Sequence, residues 1–225
     1  MSASDGKLRG FLKVYASVTA CYSVLPPFAA ALSRVHPELH LSVETGDPAD
    51  AEQMLRDGRA ELVVAALSSG SFLGLDSFSV QRTPLVFATS SSGAYGKLGG
   101  SKKNLQDQPF ILPKTGLARE RFDSWARDKN FKPIVAAEAA GNEAILALAR
   151  LGLGIGLVPR LVLENGPFAE GLTVYEADKA IGDYEIGYVL RSAWTGAEAG
   201  KRLRDAIRFL LKETYPSGLW REATA

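Results

Sequence analysis

Several things are scarce in this chain. Its 225 residues include one cysteine, Cys21, so no disulfide can close within it, a pattern that fits a reducing compartment. The two histidines, His36 and His40, flank a proline turn at a helix end and read as exposed. No HExxH, CxxC or GxSxG run occurs, so the common metalloprotease, thiol-redox and serine-hydrolase signatures are missing. No enzyme activity, cofactor or metal is expected. No apolar run approaches the ~20 residues of a membrane helix, and MSASDGKLRG has no apolar core followed by a small-residue cleavage site. An excess of either charge is also missing: 26 Lys and Arg stand against 25 Asp and Glu. That balance excludes a basic nucleic-acid face and an acidic tail. These residues are therefore not expected to grip DNA phosphates. The expectation is a soluble, cytoplasmic chain with no membrane partner. A secreted protein shorn of its signal would read the same way.

What is present is alternation of strand-like and helix-like segments. Leu8–Ala16 reads as a strand. Pro26–Val35 reads as a helix with Phe28, Ala31, Leu32 and Val35 on one face. Leu39–Glu44 is a strand, Ala49–Arg56 a short helix stopped near Gly58, and ELVVAAL a fully buried strand. This β-α-β-α-β order predicts a parallel sheet with helices on both faces. Two strand runs follow, Leu75–Val80 and Leu85–Thr89, then the loop SSSGAYGKLGGSKKN. A second lobe restarts the alternation. It has strands at Phe110–Leu112, Ile134–Glu138, Ile155–Val158 and Leu172–Tyr175, with helices at Leu117–Lys129 and Asn142–Leu151. Tyr184–Arg191 is a strand able to cross back, and Thr195–Tyr215 is a long amphipathic helix striped by Leu203, Ile207, Leu210 and Leu211. The expected fold class is α/β: two Rossmann-like lobes joined by two crossover strands, in the manner of type II periplasmic binding proteins. Residues 1–89 with 191–225 form lobe one, and 90–190 form lobe two.

In such folds ligands sit at the carboxyl ends of strands, against helix N-termini. Four strand-to-helix turns carry small or polar residues: Ser17-Val18-Thr19-Ala20, Thr45-Gly46-Asp47, Pro113-Lys114-Thr115-Gly116 and Ala140-Gly141-Asn142-Glu143. Backbone N–H groups at helix starts are free to bind an anion. Two lobes with two such turns each suggest a small anionic ligand clamped between them. Each turn alone also reads as ordinary capping, by Ser17, Thr19 or Ser23, by Thr45 or Asp47, and by Thr115. LPKTGLARERF sets Lys114, Arg119 and Arg121 around a helix start, where cations oppose the helix dipole unless an anion is bound. Glu120 and Asp123 partly offset them, and a solvated charged face is the alternative. Ala66, in ELVVAAL, completes the candidate set. LGLGIGLVP spaces its glycines like a phosphate loop, but it follows a helix and enters a strand. The dinucleotide fingerprint needs the reverse order, so Gly152 and Gly154 read as a helix C-terminal turn and Gly156 as a close-packing position.

Together these segments carry a resemblance. The Ser/Thr turn followed by LPPFAAALSRVHPELHLSVETGD, then RDGRAELVVAAL, LVFATS and GNEAILALARLGLGIGLVPRLVLEN, resembles the effector-binding domain of LysR-type transcriptional regulators. SVTACYSVLPP, TGDPADA, TGLARERF and AGNEAILALARLGLGIGLVPRLVLENGP are similar to the members that activate branched-chain amino acid synthesis genes. The resemblance implies an acetohydroxy acid effector, 2-acetolactate or 2-aceto-2-hydroxybutyrate, bound between the lobes, and a homodimer or higher homo-oligomer. Ser17 or Thr19, backbone N–H groups, Lys114 and Arg119 would serve its carboxylate. Thr45, Asp47, Thr115 or Asn142 would meet its hydroxyl and ketone. Alanine at Ser17 and Arg119 is expected to weaken binding with stability nearly unchanged. The family's winged helix-turn-helix and linker helix are not in this sequence, so the chain is expected to be a piece of a longer regulator that reaches DNA only through that segment. A transporter's solute-binding protein of the same architecture is the rival reading.

Overall fold

The computed structural model describes residues 2–4, 7–67, 72–93, 105, 107–191 and 198–221. The glycine-, serine- and lysine-rich stretch 94–104 and the expected helix start at Thr195 lie outside them. The chain divides into two compact units, residues 1–81 with 185–225 and residues 82–184. The boundaries expected at 89 and 190 lie at the far ends of the same two strands that carry these divisions.

Unit 1 is built on a mixed sheet. β1 (Ser2–Ser4) pairs antiparallel with the start of β2 (Lys7–Ala16). β3 (Leu39–Thr45) and β4 (Leu62–Leu67) flank β2 in parallel. Beyond β4 come β10 (Asp183–Leu190), antiparallel to β4, then the first part of β5 (Asp76–Ser90), then β11 (Leu219–Arg221). β4 is buried on both faces because helices cover both. On one side lie α2 (Leu25–Val35) and α7 (Glu198–Thr214), which pack together. Leu25, Phe28 and Leu32 of α2 recur at helical spacing and are buried, as are Leu203, Ile207, Leu210 and Leu211 of α7. Pro26 and Pro27 fit the first turn of α2, where a backbone N–H has no helical partner. On the other side lies α3 (Ala51–Arg56), packed on Tyr15, Val63 and Ala65.

Unit 2 repeats the arrangement. β6 (Pro109–Pro113), β7 (Ile134–Ala139) and β8 (Ile155–Pro159) are parallel in the order β7-β6-β8, and the second part of β5 lies antiparallel between β8 and β9 (Leu172–Glu176). The two-residue period of a strand sorts its core. Val86, Ala88, Ile111 and Val158 face α5 (Asn142–Arg150) and α6 (Arg160–Asn165). Phe87 and Phe110 face α4 (Leu117–Asp128) and join Phe122, Trp125 and Phe131 in one aromatic cluster.

Several expectations need correction. The runs Leu75–Val80 and Leu85–Thr89 form one strand, β5. The expected helix Ala49–Arg56 is a 3-10 turn, Pro48–Asp50, followed by α3. A separate short helix, α1 (Val18–Tyr22), precedes α2, and α6 and β11 are additional. The glycine run between α5 and β8 is a helix end: Gly152 has φ +82°, and its N–H reaches the Ala149 carbonyl at 2.9 Å. Gly156 faces Ile145 and Ala149 so closely that a Cβ there would lie 2.9 Å from Ile145 Cγ2.

Two polar anchors shape unit 1. The Val24 carbonyl, at the elbow between α1 and α2, accepts the Tyr188 hydroxyl at 2.6 Å and also the Tyr215 hydroxyl. His36 is buried, contrary to expectation, while His40 is exposed. The Leu8 N–H donates to His36 Nδ1 at 3.3 Å, so the ring must be neutral there. Burial first, then Lys7, lowers the His36 pKa from 6.5. The unfolded chain therefore binds the proton more readily, and the contribution of His36 is complete above pH 6.5 and falls away below it. Melting temperatures compared between neutral pH and pH 5 should drop more in the native chain than in His36→Gln. An equal drop in both would show that the ring takes no part.

Candidate functional site

In unit 1 the candidate turns meet at one end of the sheet because β2 and β3 stop side by side, with Ala16 opposite Thr45. Ser17 is the buried N-cap of α1, and its Oγ accepts the Ala20 N–H at 3.1 Å. A hydroxyl that accepts keeps its own hydrogen to donate. Thr19 and Ala20 are buried within α1, while Val18 is exposed. Thr45 and Gly46 are exposed. Asp47 caps the 3-10 turn, its Oδ1 accepting from the Ala49 N–H at 2.9 Å. Ala66 is partly buried in β4, opposite Ile186.

Tyr15 is a member of this site that the sequence reading missed. Its hydroxyl donates to the Asp47 carbonyl at 2.9 Å, and a side chain at Gly46 would run into the phenol. Glycine is needed at 46 so that the turn can lie on the ring. Burial, then the carboxylates of Asp50, Asp47 and Glu44, push the Tyr15 pKa up to about 12, so the phenol stays a donor. A signal was available: a glycine in the turn that follows a strand, beside a tyrosine in the neighbouring one.

In unit 2, Pro113 lies opposite Ala139, and the Lys114 N–H reaches the Ala139 carbonyl at 3.0 Å. The turns Lys114–Gly116 and Gly141–Glu143 are therefore neighbours. Lys114 and Thr115 are exposed. Thr115 does not cap α4. The N-caps of α4 and α5 are Gly116 and Gly141, and neither helix start has a side-chain cap bond. Asn142 and Glu143 open α5, with Glu143 Oε2 3.5 Å from where a Gly141 Cβ would stand. Arg119 has an internal role. Its Nε holds the Asp123 carboxylate at 2.9 and 3.1 Å, and its Nη1 donates to the Pro113 carbonyl at 3.1 Å and to Glu138. The bond it donates to Glu138, then that to Asp123, raises its pKa against the pull of partial burial. Arg119 thus ties α4 to β6 and β7, and its replacement should lower stability, not leave it unchanged. Among the described residues no three His, Cys, Asp or Glu side chains are grouped to hold a metal, and no helix is long and apolar enough to cross a membrane.

Residues 5–213 match the family model of the LysR substrate binding domain. The chain belongs to this family. It is 31% identical over 187 residues to the HTH-type transcriptional activator IlvY of Haemophilus influenzae, a match that takes in 80% of this chain and 63% of that protein. It is 32% identical over 164 residues to the HTH-type transcriptional regulator IlvY of Escherichia coli K12, taking in 71% of this chain and 55% of that protein. The chain thus spans between half and two thirds of the length of these LysR-type relatives. The effector-binding domain of QuiR, solved with shikimate, superposes with a TM-score of 0.76 at 16% identity, covering 93% of this chain and 99% of that one. The regulatory domain of CcmR from Synechocystis PCC6803, solved with 2-PG, gives 0.72 at 16% identity, covering 91% and 98%. These likenesses show the fold, two α/β lobes of the type II periplasmic-binding-protein kind. The named relatives are transcription regulators, so the transporter reading is not favoured.

Proposed function

We propose that this domain senses a small acetohydroxy acid, 2-acetolactate or 2-aceto-2-hydroxybutyrate, and so sets the expression of branched-chain amino acid synthesis genes. Family membership joined to 31–32% identity with IlvY regulators carries this reading. The chemistry of the turns supports it. Such a ligand offers a carboxylate, a tertiary hydroxyl and a ketone. Unit 1 offers the Ser17 hydrogen and the Thr45 hydroxyl. Unit 2 offers Lys114 and the N-terminal ends of α4 and α5, 12 and nine residues long, each opened by a glycine N-cap. Arg119, whose Nε and Nη1 are held by Asp123, the Pro113 carbonyl and Glu138, supports the turn and is not assigned to the ligand. In the whole regulator DNA would be bound by a helix-turn-helix segment such as the relatives' names record, and the protein would act as a homodimer or higher homo-oligomer.

The test is thermal melting with and without 2-acetolactate, with pyruvate and 2-ketoisovalerate as controls. A ligand at ~100 times its dissociation constant adds about 2.7 kcal/mol, an upward shift of several degrees that the controls should not give. Ser17→Gly keeps most of the capping function, since glycine is a tolerable N-cap, yet lacks the hydroxyl. It should melt close to the native chain and lose the acetolactate shift. A full shift in this variant would remove Ser17 from the site. No shift in the native chain would remove the effector assignment and leave the family.

A further inference from the structure

Unit 1 carries a cavity of about 290 Å³ that none of the candidate turns lines. It exists because α3 is short. Lys13 and Tyr15 of β2 stand in register beside Ser42 and Glu44 of β3, and alternation puts all four on the face that α3 covers. α3 ends after six residues, and the chain turns through Gly58 to Arg59 and Ala60 before entering β4. Tyr15 is buried as a result, while Lys13 and Ser42 stay exposed.

The lining is divided by chemistry. Buried Met54, Ala60 and the Tyr15 ring make an apolar floor. The rim carries both signs: Lys13 and Arg59 as cations, and Glu44 as an anion 2.9 Å from Arg59. Both members of that pair are more than half exposed, at 59% and 53%, and exposed pairs of this kind rearrange at little cost. Lys13 has no ion-pair partner among the described residues.

We propose that this cavity is a second small-molecule site, for a free aliphatic α-amino acid. Lys13 takes the carboxylate, Glu44 the ammonium group, and Met54 and Ala60 the side chain. Mixed charge on the rim favours a zwitterion over a simple anion, which Glu44 would repel. The volume seats roughly ten water-sized groups, enough for an amino acid the size of valine. The occupant would also touch the wall that supports the effector turn, because Tyr15 lines the cavity and holds Asp47. Any coupling between the two ligands is reciprocal.

Calorimetric titration of the 225-residue chain with L-valine tests the proposal, with isovalerate and isobutylamine as probes lacking one charge each and backbone-amide NMR to locate the change. Valine should bind saturably, perturbing the amides of Lys13, Ser42 and Glu44, and both probes should bind at least about tenfold more weakly. Lys13→Ala and Glu44→Gln should each weaken valine by about tenfold or more. Ser17→Gly should leave it unaffected, so the amino-acid site stands or falls separately from the acetohydroxy acid assignment. No saturable heat up to tens of millimolar, isovalerate binding as tightly as valine, or undiminished affinity in the Lys13 and Glu44 variants would each overturn it.

Discussion

Replacing Phe110 with Ala is expected to lower the unfolding free energy by about 3–5 kcal/mol. Phe110 has no exposed surface and sits at the middle of the unit 2 aromatic cluster. Its ring centroid lies 5.0 Å from that of Phe122, edge on, 5.9 Å from Phe87 and 6.4 Å from Phe131. Removing it takes away the transfer energy of a large side chain and also opens a cavity. That cavity cannot readily close. Its floor is β6, paired on both sides by β7 and β8, and its roof is α4, fixed by Arg119 to β6 and β7. Phe110→Leu should lose much less, since it keeps most of the volume. Urea unfolding followed by circular dichroism and by tryptophan fluorescence measures both variants, and Trp125 reports from within the cluster. A Phe110→Ala chain within 1 kcal/mol of the native one would mean that the cluster is loosely packed after all.

Gly187→Ala is expected to be as damaging, by about 3 kcal/mol or more, through overpacking instead of a void. Gly187 lies in β10 opposite Ala65 of β4. A Cβ there would strike the carbonyl oxygen of Phe78, lie 2.9 Å from its carbonyl carbon and 2.7 Å from Leu67 Cδ1. The Leu67 methyl can swing away, but the Phe78 backbone is held by β11, where Phe78 faces Trp220. Thermal melting and soluble yield should both fall. Adding Leu67→Ala relieves only the side-chain contact, so the double variant should not recover. Recovery would show that the methyl, and not the carbonyl, is the obstacle.

Much of the fold was legible because periodicity is local. The stripes of α2 and α7 and the buried strand ELVVAAL are written in their own residues. What was hidden depended on partners. Pro84 lies between the two expected runs of β5, and proline cannot serve a ladder. It sits where one set of partners ends and the other has not begun, its first unit 2 pairing falling at Leu85, so the strand continues. β11 is three residues long and exists through its pairing with β5. At the site, the sequence showed which turns were polar but not how their side chains were used. Ser17 and Asp47 are caps as well as candidates. Arg119 looked like an anion grip because Glu138, 19 residues away, could not be seen to face it. His36 looked exposed because nothing nearby in sequence revealed the Leu8 N–H that it serves.

The shared hold of Tyr188 and Tyr215 on the Val24 carbonyl bears on the order in which the molecule is assembled. These contacts close loops of 164 and 191 residues, among the longest the chain can make, and long closures come late. Unit 2 is one uninterrupted stretch, 82–184, whereas unit 1 waits for residues 185–225. During synthesis unit 2 can complete its sheet while the first eighty residues still lack β10 and α7. The helix that carries Ser17 and Thr19, made almost first, is fixed almost last. Under the proposed function, ligand binding at that turn would report that β10 and α7 are already in place.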